Sequence, residues 1–190
     1  MVEEIRAYQT INFGDSVEVA RNKIEAFKHR QTIFDSDKDN ELLTSFYLNL
    51  FEEDYHNMMK FKFFKNQLYQ IIIESDDYFE DGFGLTKLIK HASRFVEIFD
   101  IENKPIKGGL SLNFTVETLK ELEPGTNTVF KEWGDKDIKT IKIGLDKISL
   151  NNKIHYKIKI VEESGYYSNL YKEAQDKFNI EKTSNYAKWF

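Results

Sequence analysis

Residues 60–75 read KFKFFKNQLYQIIIES, and this stretch decides the fold. Phe61 and Phe63 alternate with lysines, which is the period-two pattern of a strand with one buried face. A tight turn is predicted at Lys65 to Gln67, because asparagine tolerates the left-handed backbone region. The isoleucine-rich run from Leu68 to Ile73 favours a returning strand. The stretch therefore predicts a hairpin whose lysines mark the wet face of a sheet, rather than a stripe that binds nucleic acid.

The composition around this hairpin indicates a folded protein. Of the 190 residues, 41% are apolar and 15% are aromatic, whereas disordered chains are poor in both. Charged residues make up 31% and the net charge is −5, a balance that does not favour binding to polyanions. The chain has no cysteine, which excludes disulfides, thiolate zinc sites and cysteine nucleophiles.

The N-terminal stretch bears on the compartment. The first ten residues, MVEEIRAYQT, are acidic and contain no apolar segment, so we expect no signal peptide here and a cytoplasmic protein. A signal peptide encoded upstream would instead imply the periplasm. No run approaches 18 apolar residues, so no membrane-spanning helix is predicted.

Three helices are predicted from apolar residues at helical spacing. The first begins with a capping box of Asp15 and Glu18 and ends near His29. The second, residues 85–99, has the most regular apolar stripe, and the third covers residues 166–178. Residues 115–122 could form a short helix or a strand, and residues 76–81 are predicted to be an acidic loop.

The strands complete an internal repeat. Helix, strand, strand, strand occurs over residues 15–75 and again over residues 84–162, with an insertion at residues 101–125. We therefore predict one α+β domain of residues 1–190, with repeat 1 at about 12–76, repeat 2 at about 82–163, and a C-terminal helix and tail at 164–190. An antiparallel sheet of about six strands would carry the helices on one face, leaving the other face polar and available.

Two stretches carry a resemblance to known families. The helix FGDSVEVARNKI and the hairpin KFFKNQLYQIII resemble the α/β repeat of β-lactamase inhibitory proteins and of outer-membrane assembly lipoproteins. Gly14 and Ser16 match a Gly-x-Ser helix start, and Phe61, Phe63 and Leu68 match an F-x-F-x-x-x-x-L hairpin. The resemblance implies a protein-binding module without catalysis. The chain lacks the cysteines often found in the inhibitors.

Acidic residues suggest an alternative function. Asp35, Asp37 and Asp39 resemble the start of a calcium loop, but the sixth position of that loop is Asn40 and the twelfth is Phe46, where glycine and glutamate are needed. A solvated loop is therefore the favoured interpretation, and we predict neither a cofactor nor a metal. The alternatives left open are a metal-dependent hydrolase built from the acidic loops and an envelope-associated assembly module.

Nucleic acid is the remaining partner class to weigh. Six lysines gather on the second set of strands, at positions 139, 142, 147, 153, 157 and 159. They alternate with isoleucines, arginine is scarce and the net charge is negative, so the sequence argues against nucleic-acid binding.

The absence of catalytic motifs favours a non-enzymatic protein-binding module, such as an inhibitor, an immunity protein or a phage-encoded antagonist of a bacterial system. Aromatic and acidic side chains that a partner could contact occur in one loop and at the C-terminus. The predicted partner-binding residues are Asp76, Asp77, Tyr78, Phe79, Glu80, Asp81, Trp189 and Phe190.

Overall fold

The computed structural model describes residues 6–8, 10–26, 33–35, 41–50, 53–103, 105–107, 115–125 and 127–187. The strands are β1 Arg6–Tyr8, β2 Ile11–Asn12, β3 Ile33–Asp35, β4 Glu41–Leu50, β5 Glu53–Phe64, β6 Gln67–Ser75, β7 Tyr78–Phe79, β8 Pro105–Lys107, β9 Asn127–Asp135, β10 Lys139–Leu150 and β11 Lys153–Ser164. The helices are α1 Val17–Glu25, α2 Gly82–Glu102, α3 Val116–Lys120 and α4 Gly165–Ala187.

Nine strands within the described residues form one antiparallel sheet. Its order is β3-β4-β5-β6-β11-β10-β9-β8, and β7 adds a short pairing to β11. The six long strands are two meanders, β4-β5-β6 and β9-β10-β11, which join where β6 pairs with β11 and Ile73 lies opposite Ile160. With α1 and α2 each preceding one meander, the α+β fold predicted from the sequence is confirmed.

Both central hairpins close with two-residue turns. Lys65 and Asn66 have φ of 49° and 61°, and Asn151 and Asn152 have φ of 52° and 60°. Left-handed backbone at both positions is the turn geometry that matches the right-handed twist of paired strands. Gln67, which the sequence placed in the first turn, is already the first residue of β6.

The core lies between one face of the sheet and the helices α1 and α2. Alternate strand residues point to this face because successive side chains in a strand point to opposite sides. Strands β5, β6, β10 and β11 each contribute several apolar residues to the core. Strand β9 contributes Trp133, and strand β4 contributes Leu42. Ala20 and Ile24 of α1 pack into the same cluster as Leu85, Leu88, Ala92, Phe95 and Val96 of α2. We call the opposite side of the sheet the outer face.

The start of α1 differs in detail from the prediction. Ser16 is the N-cap, and its hydroxyl accepts a hydrogen bond from the backbone N–H of Val19 at 3.2 Å. The Asp15 carboxylate instead accepts from the N–H of Asn12 and from Lys23 Nζ, at 2.8 and 2.7 Å. Asp15 therefore fixes the chain entering the helix, and the capping box of Asp15 with Glu18 was wrong.

The C-terminal helix is longer than predicted and packs through its first turns. Ser168 donates a hydrogen bond to the backbone carbonyl of Tyr69 at 3.2 Å, and the Tyr171 ring stacks on the Tyr69 ring at 4.6 Å. Phe178, two turns further on, is mostly exposed. Burial of the predicted apolar stripe therefore stops partway along the helix.

The ambiguous segment after Pro105 contains a short helix. Thr115 caps α3 with a reciprocal capping box to Thr118, and Leu119 is buried in the core. The helical alternative for residues 115–122 is therefore the one that the chain adopts.

Candidate functional site

An exposed row of side chains crosses the outer face at the end where β10 turns into β11. Phe79 lies opposite His155, and His155 lies opposite Ile148, so the three side chains are cross-strand neighbours. The rings of Phe79 and His155 are 4.9 Å apart. Phe79 is 52% exposed, Ile148 37% and Leu150, two residues along β10, 55%. We call these four residues the exposed row.

Two predicted contact residues lie at the surface beside this row. Asp76 Oδ1 is 2.8 Å from His56 Nδ1, and Asp77 Oδ1 is 3.4 Å from Lys157 Nζ. Both carboxylates keep about half or more of their side-chain surface in solvent. The surface next to the exposed row therefore carries two exposed carboxylates, each within ion-pairing distance of a side-chain nitrogen.

The other predicted acidic residues hold the segment in place. The Tyr156 hydroxyl lies 2.9 Å from Glu80 Oε1, and Lys147 Nζ lies 3.8 Å from the same oxygen. The pKa of Tyr156 is raised mainly by burial, and further by the hydrogen bond to Glu80 and by the charge of Glu80. The phenol therefore stays protonated and donates a hydrogen bond to Glu80. Asp81 is the N-cap of α2 and accepts from the N–H of Gly84 at 2.6 Å.

Tyr78 points away from the surface, into the core. Its hydroxyl lies 2.8 Å from Nδ1 of His91, whose ring is fully buried between those of Tyr55 and Phe95, at 4.7 and 5.0 Å. Burial lowers the pKa of His91 to about 4, against a smaller opposing effect of Asp76. A neutral imidazole enclosed by aromatic rings is a core contact, out of reach of a substrate.

The remaining predicted sites lie partly outside the described residues. Asp35 ends β3, while Asp37, Asp39, Trp189 and Phe190 are outside the described residues. Among the described residues, no three His, Asp or Glu side chains are grouped so that they could hold a metal ion.

The lysines of the second meander are mostly matched by carboxylates. Five of the six lie within 4.0 Å of an acidic oxygen, in the pairs Lys139–Glu162, Lys142–Glu132, Lys147–Glu80, Lys157–Asp77 and Lys159–Glu74. Lys147 is buried and also donates to the carbonyl of Lys120 at 2.7 Å, so it does not belong to the wet face.

A shallow cleft of about 330 Å³ lies further along the outer face. Gly144 lines this cleft at the point where the register of β10 with β9 shifts. The lining residues are Gln70, Ile72, Val129, Lys142, Gly144, Lys159, Val161 and Glu163.

Sequence reasoning found Phe79 but missed Ile148, Leu150 and His155. A signal was present in β10, where the inward positions 141, 143 and 145 are apolar, the next inward position is Lys147, and the apolar residues move to 148 and 150. A change of phase in an alternating strand places apolar side chains on the solvent face.

No helix within the described parts of the chain combines the length and the apolar character needed to cross a bilayer.

Comparisons of the chain with protein-family models, with curated proteins and with solved structures found no match.

Proposed function

We propose that this protein is a non-enzymatic protein-binding module that engages its partner through the outer face, with the exposed row at the centre of the contact. The observation that carries the proposal is the exposed row itself. Single exposed apolar residues are common on protein surfaces, but adjacent ones on paired strands form a patch, and such patches mark interaction sites.

The chemistry of the partner follows from the surroundings of the row. Asp76 and Asp77 flank it with exposed carboxylates, and the segment from Glu74 to Asp81 contains five acidic residues and no basic one. A partner that presents apolar side chains next to lysine or arginine would therefore be complementary in both shape and charge. An inhibitor, an immunity protein or an antagonist of a bacterial system would use such a surface.

The rigid seating of this segment supports binding over catalysis. Core or capping contacts engage Tyr78, Glu80 and Asp81 and hold Phe79 outward. Binding of a partner would therefore not have to overcome the entropic cost of ordering this segment. The same contacts occupy the ionisable groups that an enzyme would need free.

The charge pattern supports a protein partner over nucleic acid. On the outer face, the ammonium groups of Lys142, Lys157 and Lys159 lie 3.4 to 4.0 Å from carboxylate oxygens. These carboxylates largely cancel the positive potential that would attract a phosphate backbone.

Site-specific photo-crosslinking tests the proposal. A benzoylphenylalanine placed at position 79 should capture a discrete protein from a lysate of the organism that carries the gene, and Ile148→Asp should abolish the capture. The matched control is the same probe at Phe83, which is 70% exposed but lies on α2. Equal capture from both positions, or capture that Ile148→Asp leaves unchanged, would contradict the proposal.

A further inference from the structure

Tyr78 shields the buried ring of His91 from solvent. His91 is 0% exposed and packs against the rings of Tyr55 and Phe95, which are themselves only 6% and 4% exposed. The ring of Tyr78 also contacts His91, at 6.2 Å between ring centres, but it is only partly buried. Of the three rings around His91, Tyr78 is therefore the one whose displacement opens a path for water to the imidazole.

Residues 76–79, which we call the β7 segment, lie between two fixed points. Before the segment, Ser75 Oγ accepts a hydrogen bond from the N–H of Ile158 at 2.9 Å. After it, the Glu80 carboxylate accepts one from the hydroxyl of Tyr156 at 2.9 Å. Among the described strands β7 pairs only with β11, and no side chain of the segment is fully buried. Such a short segment can open while the sheet stays folded.

The surroundings of His91 suit a neutral imidazole. Nδ1 lies 2.8 Å from the hydroxyl of Tyr78, and Nε2 is buried without a hydrogen-bond partner among the described residues. Asp76, the carboxylate whose charge acts on the ring, lies 2.8 Å from Nδ1 of His56. A proton added to the enclosed ring places a charge among aromatic side chains, which is costly unless the ring becomes hydrated. Uptake of a proton therefore favours a state in which water reaches His91.

The elements around His91 carry further titratable groups, which bear on any response to acid. Phenol, ammonium and guanidinium groups ordinarily keep their protons between pH 7 and pH 5. A carboxyl group can take one up, so Asp76 is the group from which His91 has to be separated by experiment. The charged residues of α3, which also packs against α2, are exposed. The groups on the remaining elements are Tyr55 on β5, Tyr78 on β7, Tyr156 on β11, and Lys87 and Arg94 one turn on either side of His91 on α2.

We propose that uptake of a proton by His91 opens the β7 segment, so that Tyr78 leaves the imidazole and Phe79 leaves the ring of His155 while the rest of the sheet stays folded. Tyr78 and Phe79 are consecutive residues of one two-residue strand, so they move together. Phe79 belongs to the exposed row, and opening removes it from the row. The protein therefore loses affinity for its partner in acid, a consequence that rests on the proposed function. The opening itself does not, because it can be measured without a partner.

Amide hydrogen exchange measures the opening in the unmodified protein. The N–H of Glu80 donates to the carbonyl of Ile154 at 3.2 Å, at the end of the segment, and exchanges when the segment leaves β11. It should be less protected than the amides of the central strands, which exchange on global unfolding. Between pH 7 and pH 5 its protection factor should fall roughly twentyfold, because the pKa of His91 is about 4 when enclosed and 6.5 when hydrated.

A control amide and three variants assign the effect to His91. The N–H of Gly14 donates to the carbonyl of Leu68 at 2.9 Å, at the other end of the sheet, and should keep its protection factor because its local opening leaves His91 enclosed. In His91→Gln and His91→Phe, which carry no titratable ring, the protection factor of Glu80 should be the same at both pH values. Tyr78→Phe should lower it about tenfold at pH 7, because the contact with His91 is lost. Circular dichroism verifies the fold of each variant.

Three results would overturn the inference. A protection factor of Glu80 that is the same at pH 7 and pH 5 in the parent protein would mean that acid does not open the segment. A fall that persists in both variants of His91 would assign the opening to another group, such as Asp76. An equal fall at Gly14, or protection of Glu80 equal to that of the central strands, would mean that only global unfolding hydrates the ring. Photo-crosslinking from position 79 at neutral pH tests the proposed function separately, so either proposal can fail alone.

Discussion

The hydroxyl of Tyr78 lies 2.8 Å from Nδ1 of His91, and this contact ties β7 to the middle of α2. His91 is fully buried, so the contact is shielded from water. Because successive strand residues point to opposite faces, seating Tyr78 inward sets Phe79 outward. The exposure of Phe79 is therefore a consequence of core packing one residue away.

Stability should fall in acid through His91. Its pKa is 6.5 when unperturbed and about 4 in the folded protein, so between these values the unfolded state binds the additional proton. The contribution of His91 to the free energy of unfolding is complete above pH 6.5 and is lost as the pH falls towards 4. The total loss is on the order of 3 kcal/mol. Urea unfolding measured between pH 7 and pH 4.5 should show this decline.

Direct titration separates His91 from the carboxylates that also protonate in acid. The NMR signal of the imidazole C–H of His91 should titrate with a midpoint well below 5. His91→Phe should flatten the pH dependence of the free energy of unfolding. A midpoint near 6.5 would show that the ring is hydrated.

Removing the Tyr78 hydroxyl should destabilise the protein. Tyr78→Phe leaves Nδ1 of His91 buried without a partner, which costs about 1–2 kcal/mol. Phe79→Ala, in the next position, removes a ring that is half in solvent and should cost at most about 1 kcal/mol. Chemical denaturation of the two variants compares them, and a larger loss for Phe79→Ala would reverse the assignment of inner and outer faces.

The long elements could be predicted from the sequence because each carries its own pattern. Alternation of Phe61 and Phe63 with lysine, and regular spacing from Leu85 to Phe99, are local signals that burial on one face produces. The hairpin turns were also readable, since asparagine occupies a left-handed position in both. These local signals predicted the long elements and their order along the chain.

The contacts of the acidic segment could not be predicted in the same way. β7 has only two residues, and its pairing depends on Tyr156, which is 78 positions away from Tyr78. Charged residues in a row suggest a solvated loop, but here Glu80 lies against Tyr156 and Lys147, which the sequence places far apart. Tertiary neighbours decided which members of the segment stay exposed.

A buried ion pair should respond unequally to single and double substitution. Lys131 is 1% exposed, and its Nζ lies 2.7 Å from Oδ1 and 2.8 Å from Oδ2 of Asp100. Asp100 Oδ1 also accepts a hydrogen bond from Trp133 Nε1 at 2.7 Å. Asp100→Asn leaves an acceptor for Trp133 but removes the counter-ion of Lys131, and we expect a loss of about 3 kcal/mol.

The double variant Asp100→Asn with Lys131→Met should recover most of that loss, because no uncompensated charge remains in the core. A double-mutant cycle on the free energy of unfolding measures the coupling. Additive losses would mean that water reaches the ammonium group when its partner is removed.

The two hairpin turns should respond differently to glycine. Asn152 has φ of 60°, and its side chain makes no hydrogen bond among the described residues. Asn152→Gly should therefore relieve backbone strain and stabilise the protein by about 0.5 kcal/mol. Asn66 has φ of 61°, but its Oδ1 accepts a hydrogen bond from the N–H of Val17 at 3.1 Å. Asn66→Gly gains the same relief and loses a contact at the N-terminus of α1, worth about 1 kcal/mol.

Thermal unfolding of the two glycine variants should therefore show shifts of opposite sign, a Tm raised by about 1–2 °C for Asn152→Gly and lowered by a similar amount for Asn66→Gly. Asn66→Asp, which keeps an acceptor for the Val17 N–H, is the matched control and should stay near the parent Tm. If both glycine variants gain equally, the contact between Asn66 and Val17 contributes nothing to stability in solution.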